Sequence, residues 1–519
     1  MPQELTSYVA GRWHKGTESP QRLTDASTEE VLATVGSGGI DFGEVLAYAH
    51  KKGGPALRAM SFAARGEMLQ AASKAIHAYR EELLDISAAN AGTTRGDGKF
   101  DIDGATATLS AYGYVGKKLG DRTFLSDGDG IQLGRTARWW GQHVYVPRLG
   151  AAVHINAFNF PAWNMLEKAA CAWLAGVPVI EKPGTPTAMV AWRIAQILTE
   201  SGVLPEGAFQ MVVGSTGDLL DRLRAQDGVA FTGSSWTARK LRATPAIIEH
   251  AVRFNGEADS LNSAILGPDL DEGDESWRLF IRNVALDMRQ KTGQKCTAVR
   301  RILVPTDRMA AVREALVGEL SGIVAGDPRA DGTTMGPLAS ENQLKSVREG
   351  IDRFAGSLTT VMGGSAPVHD KGWFVAPTLF EAANADVDVV HEHEVFGPVA
   401  TLLPYDGSPE EAARLVARGD GSLVTSLYTD DATWMERAVL GLAPWNGRVW
   451  IGTAKCAEQT MPPGTVLANM IHGGPGRAGG GEELGGERGL LFYMQSTAVQ
   501  CFKGHLDPAF GRPGEVTTA

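Results

Sequence analysis

The stretch Lys291-Thr292-Gly293-Gln294-Lys295-Cys296-Thr297-Ala298 sets a cysteine between a helix-like run, Leu279 to Gln290, and an apolar strand-like run, Ala298 to Val304. A cysteine on such a turn can direct its sulfur into a cleft. Lys295 and the turn's N–H groups favour the thiolate over the thiol, whose ordinary pKa is about 8.5. Taken alone, a free cysteine is more often a small, buried, inert group, so its chemistry depends on its company. Glu257, in Gly256-Glu257-Ala258-Asp259-Ser260-Leu261-Asn262, offers a carboxylate able to activate water beside a nucleophile. Spacing alone does not assign that role, since most glutamates are solvated. Asn159, in Asn156-Ala157-Phe158-Asn159-Phe160-Pro161, ends a strand-like run with an amide donor able to face a ligand. Asparagine is also a common turn residue.

The elements around these residues alternate. Strand-like runs Ala151 to Ile155, Val177 to Glu181, Phe209 to Val213 and Val229 to Thr232 are separated by helix-like runs. Those are Trp163 to Ala175, Ala188 to Gly202 and Asp218 to Ala225. Repeated strand–helix–strand order argues for a parallel sheet with crossover helices, whose ligands gather at the carboxyl ends of the strands. Three successive ends carry Lys182 (in Glu181-Lys182-Pro183-Gly184-Thr185-Pro186-Thr187), Gly214-Ser215-Thr216-Gly217 and Phe231-Thr232-Gly233-Ser234-Ser235. The two glycine turns are expected to lead into helices. Glycine there lets backbone approach a phosphate, and helix N–H groups favour the anion. None is a full GxGxxG or Walker pattern, and Lys182 alone reads as a surface lysine. Three together point to a nucleotide.

A second α/β region runs from about Asp259 to Ala468. Its expected strands are 263–266, 298–304, 399–403, 423–428 and 448–451, with helices 277–290, 308–323 and 340–354. Before the first sheet, residues 6–36 read as short strands. Residues 41–91 read as helix, broken at Gly53-Gly54-Pro55, and 103–119 as a further helix. Residues 126–148 read as an aromatic hairpin turning at Asp127-Gly128-Asp129-Gly130. It is expected either to pack on its own chain or to contact another subunit. His472 to Gly486 is so rich in glycine that a flexible loop is the default reading, with a place beside the site entrance as the alternative. A last strand is expected over Phe492 to Val499.

The chain of 519 residues carries a formal net charge of −11, which argues against general nucleic-acid binding. Cys171, Cys296, Cys456 and Cys501 match no zinc or CxxC spacing, so no metal site and a reducing, cytoplasmic setting are expected. The start lacks a basic-then-apolar signal, and the longest apolar run, Ala169 to Ile180, is too short to cross a bilayer.

Jointly the motifs resemble the aldehyde dehydrogenase superfamily. Gly293-Gln294-Lys295-Cys296-Thr297-Ala298 resembles its nucleophile motif and Phe158-Asn159-Phe160-Pro161 its oxyanion motif. Lys182-Pro183 resembles its cofactor lysine, Phe231-Thr232-Gly233-Ser234 its cofactor helix start, and Glu394-Val395-Phe396-Gly397-Pro398 its nicotinamide-ribose motif. They stand in family order across nearly the whole chain. Ala56 to Met60, His154 to Phe160, Glu257 to Asn262 and Gly473 to Gly486 look like one branch. It holds the aldehyde dehydrogenase half of the phenylacetate ring-opening protein PaaZ and the dehydrogenase for 3,4-dehydroadipyl-CoA semialdehyde of benzoate catabolism. Most of the superfamily follows the catalytic glutamate with Leu-Gly-Gly; here Ala258-Asp259-Ser260 follows, as in that branch. The chain runs to Ala519 without a hydratase-like region, so no hydratase activity is expected.

The resemblance implies an α/β fold. A Rossmann-type cofactor domain (1–125 and 149–258) is joined to an α/β catalytic domain (259–470) and a small β oligomerisation element (126–148 and 487–505). It implies Cys296 as nucleophile, Glu257 as base and Asn159, with the Cys296 N–H, as oxyanion donors. Lys182, Thr185, Gly214, Gly233, Ser234, Glu394 and Phe396 would bind the cofactor. Many NAD-preferring relatives carry a glutamate three residues after the lysine. Thr185 stands there instead, so NADP is expected, with NAD as the alternative. The expected substrate is a small aldehyde, CoA-linked, and the expected assembly a homodimer or a set of dimers. An acylating dehydrogenase that releases the acyl group to CoA, or an inactive NADP-binding protein, are the other readings.

Overall fold

The computed structural model describes residues 2–18 and 20–511. The two chain ends that the signal and hydratase expectations concern, Met1 and Ala519, lie outside them. Two seven-stranded sheets dominate the molecule. In the first the strands run Arg253–Glu257, Gly228–Thr232, Ala152–Ile155, Val179–Lys182, Phe209–Met211, Ser7–Val9 and Arg12–His14 across the sheet. The first five are mutually parallel, Ser7–Val9 pairs antiparallel with Phe209–Met211, and Arg12–His14 pairs antiparallel with Ser7–Val9. The second sheet runs Thr359–Met362, Thr378–Glu381, Val399–Tyr405, Arg301–Pro305, Ser263–Leu266, Ser422–Tyr428 and Asn446–Gly452, with only the first strand antiparallel. Such parallel strands are buried on both faces, which explains their unbroken apolar character rather than an alternating one.

Register lines up the strand ends that carry the candidate residues. Ile155 stands opposite both Lys182 and Phe231, and Thr232 stands opposite Glu257. The helix Trp163–Ala175 crosses beneath this edge and is buried at every position, Glu167 and Lys168 included. Lys168 Nζ lies 3.4 Å from Glu167 and 3.3 Å from Glu483, the pairing that a buried cation needs.

Several sequence expectations give way. Gly53-Gly54-Pro55 does not break the helical run. Both glycines keep helical dihedrals, and Pro55 sits in the first turn of Gly54–Arg58, where a missing N–H is harmless. The break falls at Ser61, whose hydroxyl caps Phe62–His77. The helix expected from Asp103 starts at Arg95, because Thr94 accepts the Asp97 N–H as an N-cap, a contact worth about 1 kcal/mol. Asp218 to Ala225 holds only a single 3₁₀ turn, Leu220–Arg222. Residues 127–130 are not the hairpin turn. They lie within the strand Leu125–Gln132 as a register shift, and the chain reverses before Trp139–Pro147. Met494–Phe502 pairs with that second strand to complete a three-stranded antiparallel sheet.

The glycine-rich segment is the largest departure. It is no loose loop: Ile471–Gly473 and Glu482–Leu484 pair antiparallel, with a 3₁₀ turn between them. Gly481 N–H donates to Gly256 O at 3.1 Å and Ala258 N–H to Ala478 O at 2.9 Å. A Cβ at Gly481 would stand 2.6 Å from Gly256 O. Glycine here serves close backbone packing against the strand that carries Glu257. Among the described residues no helix is long and apolar enough to cross a membrane.

Candidate active site

The cysteine loop is built by a backbone that few sequences tolerate. After the helix Glu275–Arg289 the chain turns left-handed at Lys291 (φ 52°), Thr292 (φ 56°) and Gly293 (φ 67°). For the two non-glycine residues this costs about 1–3 kcal/mol each. Gly293 backs directly onto the Gly397 carbonyl, with no room for a Cβ. The loop is held by directed donors. Thr292 Oγ1 donates to Gly336 O (2.8 Å). Arg300 donates to Gly293 O (3.0 Å), Lys295 O (3.2 Å) and Gly397 O (2.8 Å). Asn262 Nδ2 donates to Cys296 O (2.7 Å) and Ala298 O (2.9 Å).

Lys295 does not serve the sulfur. Its ammonium is buried and donates to Asp287 Oδ1 (2.6 Å) and Gln290 Oε1 (2.8 Å). A buried ammonium needs such acceptors, and they lie on the preceding helix and just after its end rather than beside Cys296. Cys296 Sγ instead lies 4.0 Å from His472 Nε2, and His472 Nε2 lies 3.1 Å from Glu257 Oε2. The sulfur, the imidazole nitrogen and a carboxylate oxygen all fall within 4.8 Å of one another. Burial raises the Cys296 thiol pKa well above its usual value, and the Glu257 carboxylate raises it further. Burial also opposes the charge on Glu257, but His472, then Lys168, outweigh it and keep this carboxyl ionised. His472 is correspondingly held towards its protonated form by Glu257 and Glu167 against its own burial.

Asn159 is buried behind the same loop. Its amide donates to Gln294 O at 3.0 Å, two residues before Cys296, which joins the end of the first sheet to the cysteine loop. Phe100, Phe160 and Trp163 pack edge to face at 5.3–6.1 Å. With Val466 they give an apolar wall to the cavity that Cys296 and His472 also line.

The cofactor candidates lie along the strand ends. Lys182 Nζ donates to Pro183 O (2.9 Å) and Thr185 Oγ1 (3.1 Å). Burial alone lowers its pKa to about 8, with no carboxylate contributing. A buried cation given only neutral acceptors fits an incoming phosphate. Gly214 (φ 115°) packs on Ser37, and Gly233 N–H donates to Glu257 O at 3.1 Å. Ser234 caps the helix Ser235–Arg242, whose first N–H already meets Asp259 Oδ1 at 2.9 Å. Glu394 accepts from Ser260 N–H (3.0 Å) and from Arg300 (3.4 Å), and burial pushes its pKa up to about 7. The Phe396 ring packs edge to face on Phe158 at 5.9 Å, with the Arg300 guanidinium 5.4 Å from its centre. Arg300 therefore ties the Glu394 segment to the cysteine loop.

Sequence reasoning passed over two residues here. Arg300 lay inside an expected strand and carried no motif. His472 was read as the start of a glycine-rich loop. The available signal was the glycine density itself, which marks close backbone approach.

The frame is two mainly parallel sheets in an α/β arrangement, with a cysteine and a glutamate within 4.8 Å of one another. The aldehyde dehydrogenase family matches residues 13–499, and the chain belongs to that family. It is 42% identical over 479 residues to the 3,4-dehydroadipyl-CoA semialdehyde dehydrogenase of Aromatoleum evansii, covering 91% of this chain and 93% of that protein. Among solved structures it is similar to an aldehyde dehydrogenase from Bacillus cereus in its NAD+ complex. The TM-score is 0.82 at 23% identity, over 96% of this chain and 97% of that one. It is also similar to a 3,6-anhydro-L-galactose dehydrogenase in complex with NADP. There the TM-score is 0.83 at 21% identity, over 96% and 100%. The family resemblance read from the sequence, its fold and its oxidoreductase class all hold. A nicotinamide cofactor and an aldehyde substrate follow.

Proposed function

We propose that this enzyme oxidises a CoA-linked semialdehyde of aromatic-acid catabolism to the carboxylic acid, using NADP, through a thioester on Cys296. The observation that carries the chemistry is the Cys296 sulfur and a Glu257 carboxylate oxygen lying within 4.8 Å of one another. Cys296 thiolate adds to the aldehyde carbon and forms a thiohemiacetal. The Cys296 N–H and the Asn159 amide hold the developing oxyanion. Bound NADP supplies the hydride acceptor. Glu257 then takes a proton from water, and the hydroxide so formed releases the acid from sulfur. The substrate class rests on similarity to the Aromatoleum evansii enzyme. The NADP preference rests on Lys182 beside Thr185, a corner without a carboxylate to repel a 2′-phosphate.

Residues 1–125 with 149–258 form the dinucleotide-binding unit in this reading, and 259–470 the catalytic unit. Residues 126–148 with 487–505 form a dimer contact, whose exposed Ile131, Leu133, Trp139 and Phe502 favour burial against a second copy. The setting is cytoplasmic. Steady-state kinetics against phenylacetate- and benzoate-derived CoA semialdehydes and simple aldehydes test the substrate class. The expected result is the highest kcat/KM for a CoA semialdehyde; equal values for a simple aldehyde would overturn it. The acylating reading predicts an acyl-CoA product when free CoA is added. Glu257, the water-activating base in this reading, argues for the acid in its presence and absence alike.

A further inference from the structure

The chemistry proposed above asks two anions to coexist, a thiolate on Cys296 and a carboxylate on Glu257, within 4.8 Å and out of bulk water. Two such charges repel strongly at that distance unless a cation touches both. Lys295, the neighbour in sequence, is spent on Asp287 and Gln290. Lys168 is spent on Glu167 and Glu483. His472 alone among the described basic side chains has an atom near both groups, Nε2 at 3.1 Å from Glu257 Oε2 and 4.0 Å from Cys296 Sγ. Its position is fixed: Ile471–Gly473 is clamped by its pairing with Glu482–Leu484 and by the glycine packing against Gly256.

We propose that His472, held as imidazolium by Glu257, is the catalytic cation of this site, balancing the Cys296 thiolate and the Glu257 carboxylate together. This rests on Cys296 being the nucleophile. In the step, the S–H bond breaks with its proton passing to water, and the electron pair left on sulfur, facing the imidazolium, adds to the aldehyde carbon. No oxidant enters at this stage. The imidazolium then keeps its N–H on Glu257 until water is activated. The groups facing His472 are Glu257 and Glu167, which favour its charge, Arg448, which opposes it, and Cys296 itself.

The test is the pH dependence of Cys296 alkylation by iodoacetamide, followed by peptide mass spectrometry on the full-length protein. His472→Gln is expected to slow alkylation at pH 7.5 at least tenfold and to move its midpoint up by a unit or more. Glu257→Gln, which removes an anion, should move the midpoint down. Added imidazole should recover part of the rate in His472→Ala. Should His472→Gln not fold, as judged by NADP binding and thermal melting, His472→Phe retains the ring volume and carries the same test. A wild-type alkylation profile in the folded variant would overturn the role of His472. Failure of the underlying reading has a separate signature: Cys296→Ala would still oxidise aldehydes, whatever the alkylation profile.

Discussion

The Lys182–Thr185 corner and the Cys296–Glu257–His472 cluster use buried charge in opposite ways. At the corner one cation faces only a hydroxyl and a carbonyl, so burial lowers its pKa to about 8 and leaves it short of a counter-charge. In the cluster an anion, an imidazole and a thiol are packed together: Glu257 and His472 hold each other charged against burial, and burial with Glu257 raises the thiol. A site built to receive a charged ligand leaves a charge unanswered. A site built to move protons answers its charges internally and lets them shift.

The sharpest break in the comparison is Cys296→Ala. It should abolish aldehyde oxidation while NADP binding, followed by fluorescence titration, stays within about twofold, because the corner does not depend on the sulfur. Next is Thr185→Glu, which answers the Lys182 charge. It should lower kcat/KM for NADP by about tenfold to a hundredfold, the loss of one charge-assisted contact of about 1.5–3 kcal/mol. NAD should be affected far less. Smallest is the pH effect. The free protein loses the Lys182 proton through about pH 8, whereas a 2′-phosphate requires the ammonium. NADP affinity should therefore be level below about pH 7 and weaken by up to tenfold per unit above pH 8. NAD affinity measured across the same range should not follow.

The two regions also differ in how readily the sequence disclosed them. Lys182, Gly214 and Gly233 stand at ends of apolar strands, so their grouping followed from topology: parallel strands deliver their ends to one edge. The helix Trp163–Ala175 was legible to the residue because Gly176 and Pro178 stand just beyond it, and Gly176 takes the left-handed conformation that ends it. The cluster was only half legible. Cys296 and Glu257 came from motifs, but the direction of Lys295 was misjudged, because sequence adjacency says nothing of which face a turn presents. His472 was overlooked because so many glycines read as looseness. In three dimensions they are what lets Ile471–Gly473 and Glu482–Leu484 press against Gly256 and Ala258. Arg300, which fixes three carbonyls, carried no local pattern at all.

The most direct test of the central chemistry mixes Glu257→Gln with a CoA semialdehyde and NADP, then quenches and maps the protein by mass. The account requires a burst of about one NADPH per site, an acyl group on the Cys296 peptide, and steady turnover slowed by about a hundredfold or more. Undiminished turnover, or an acyl group on any other residue, would contradict it.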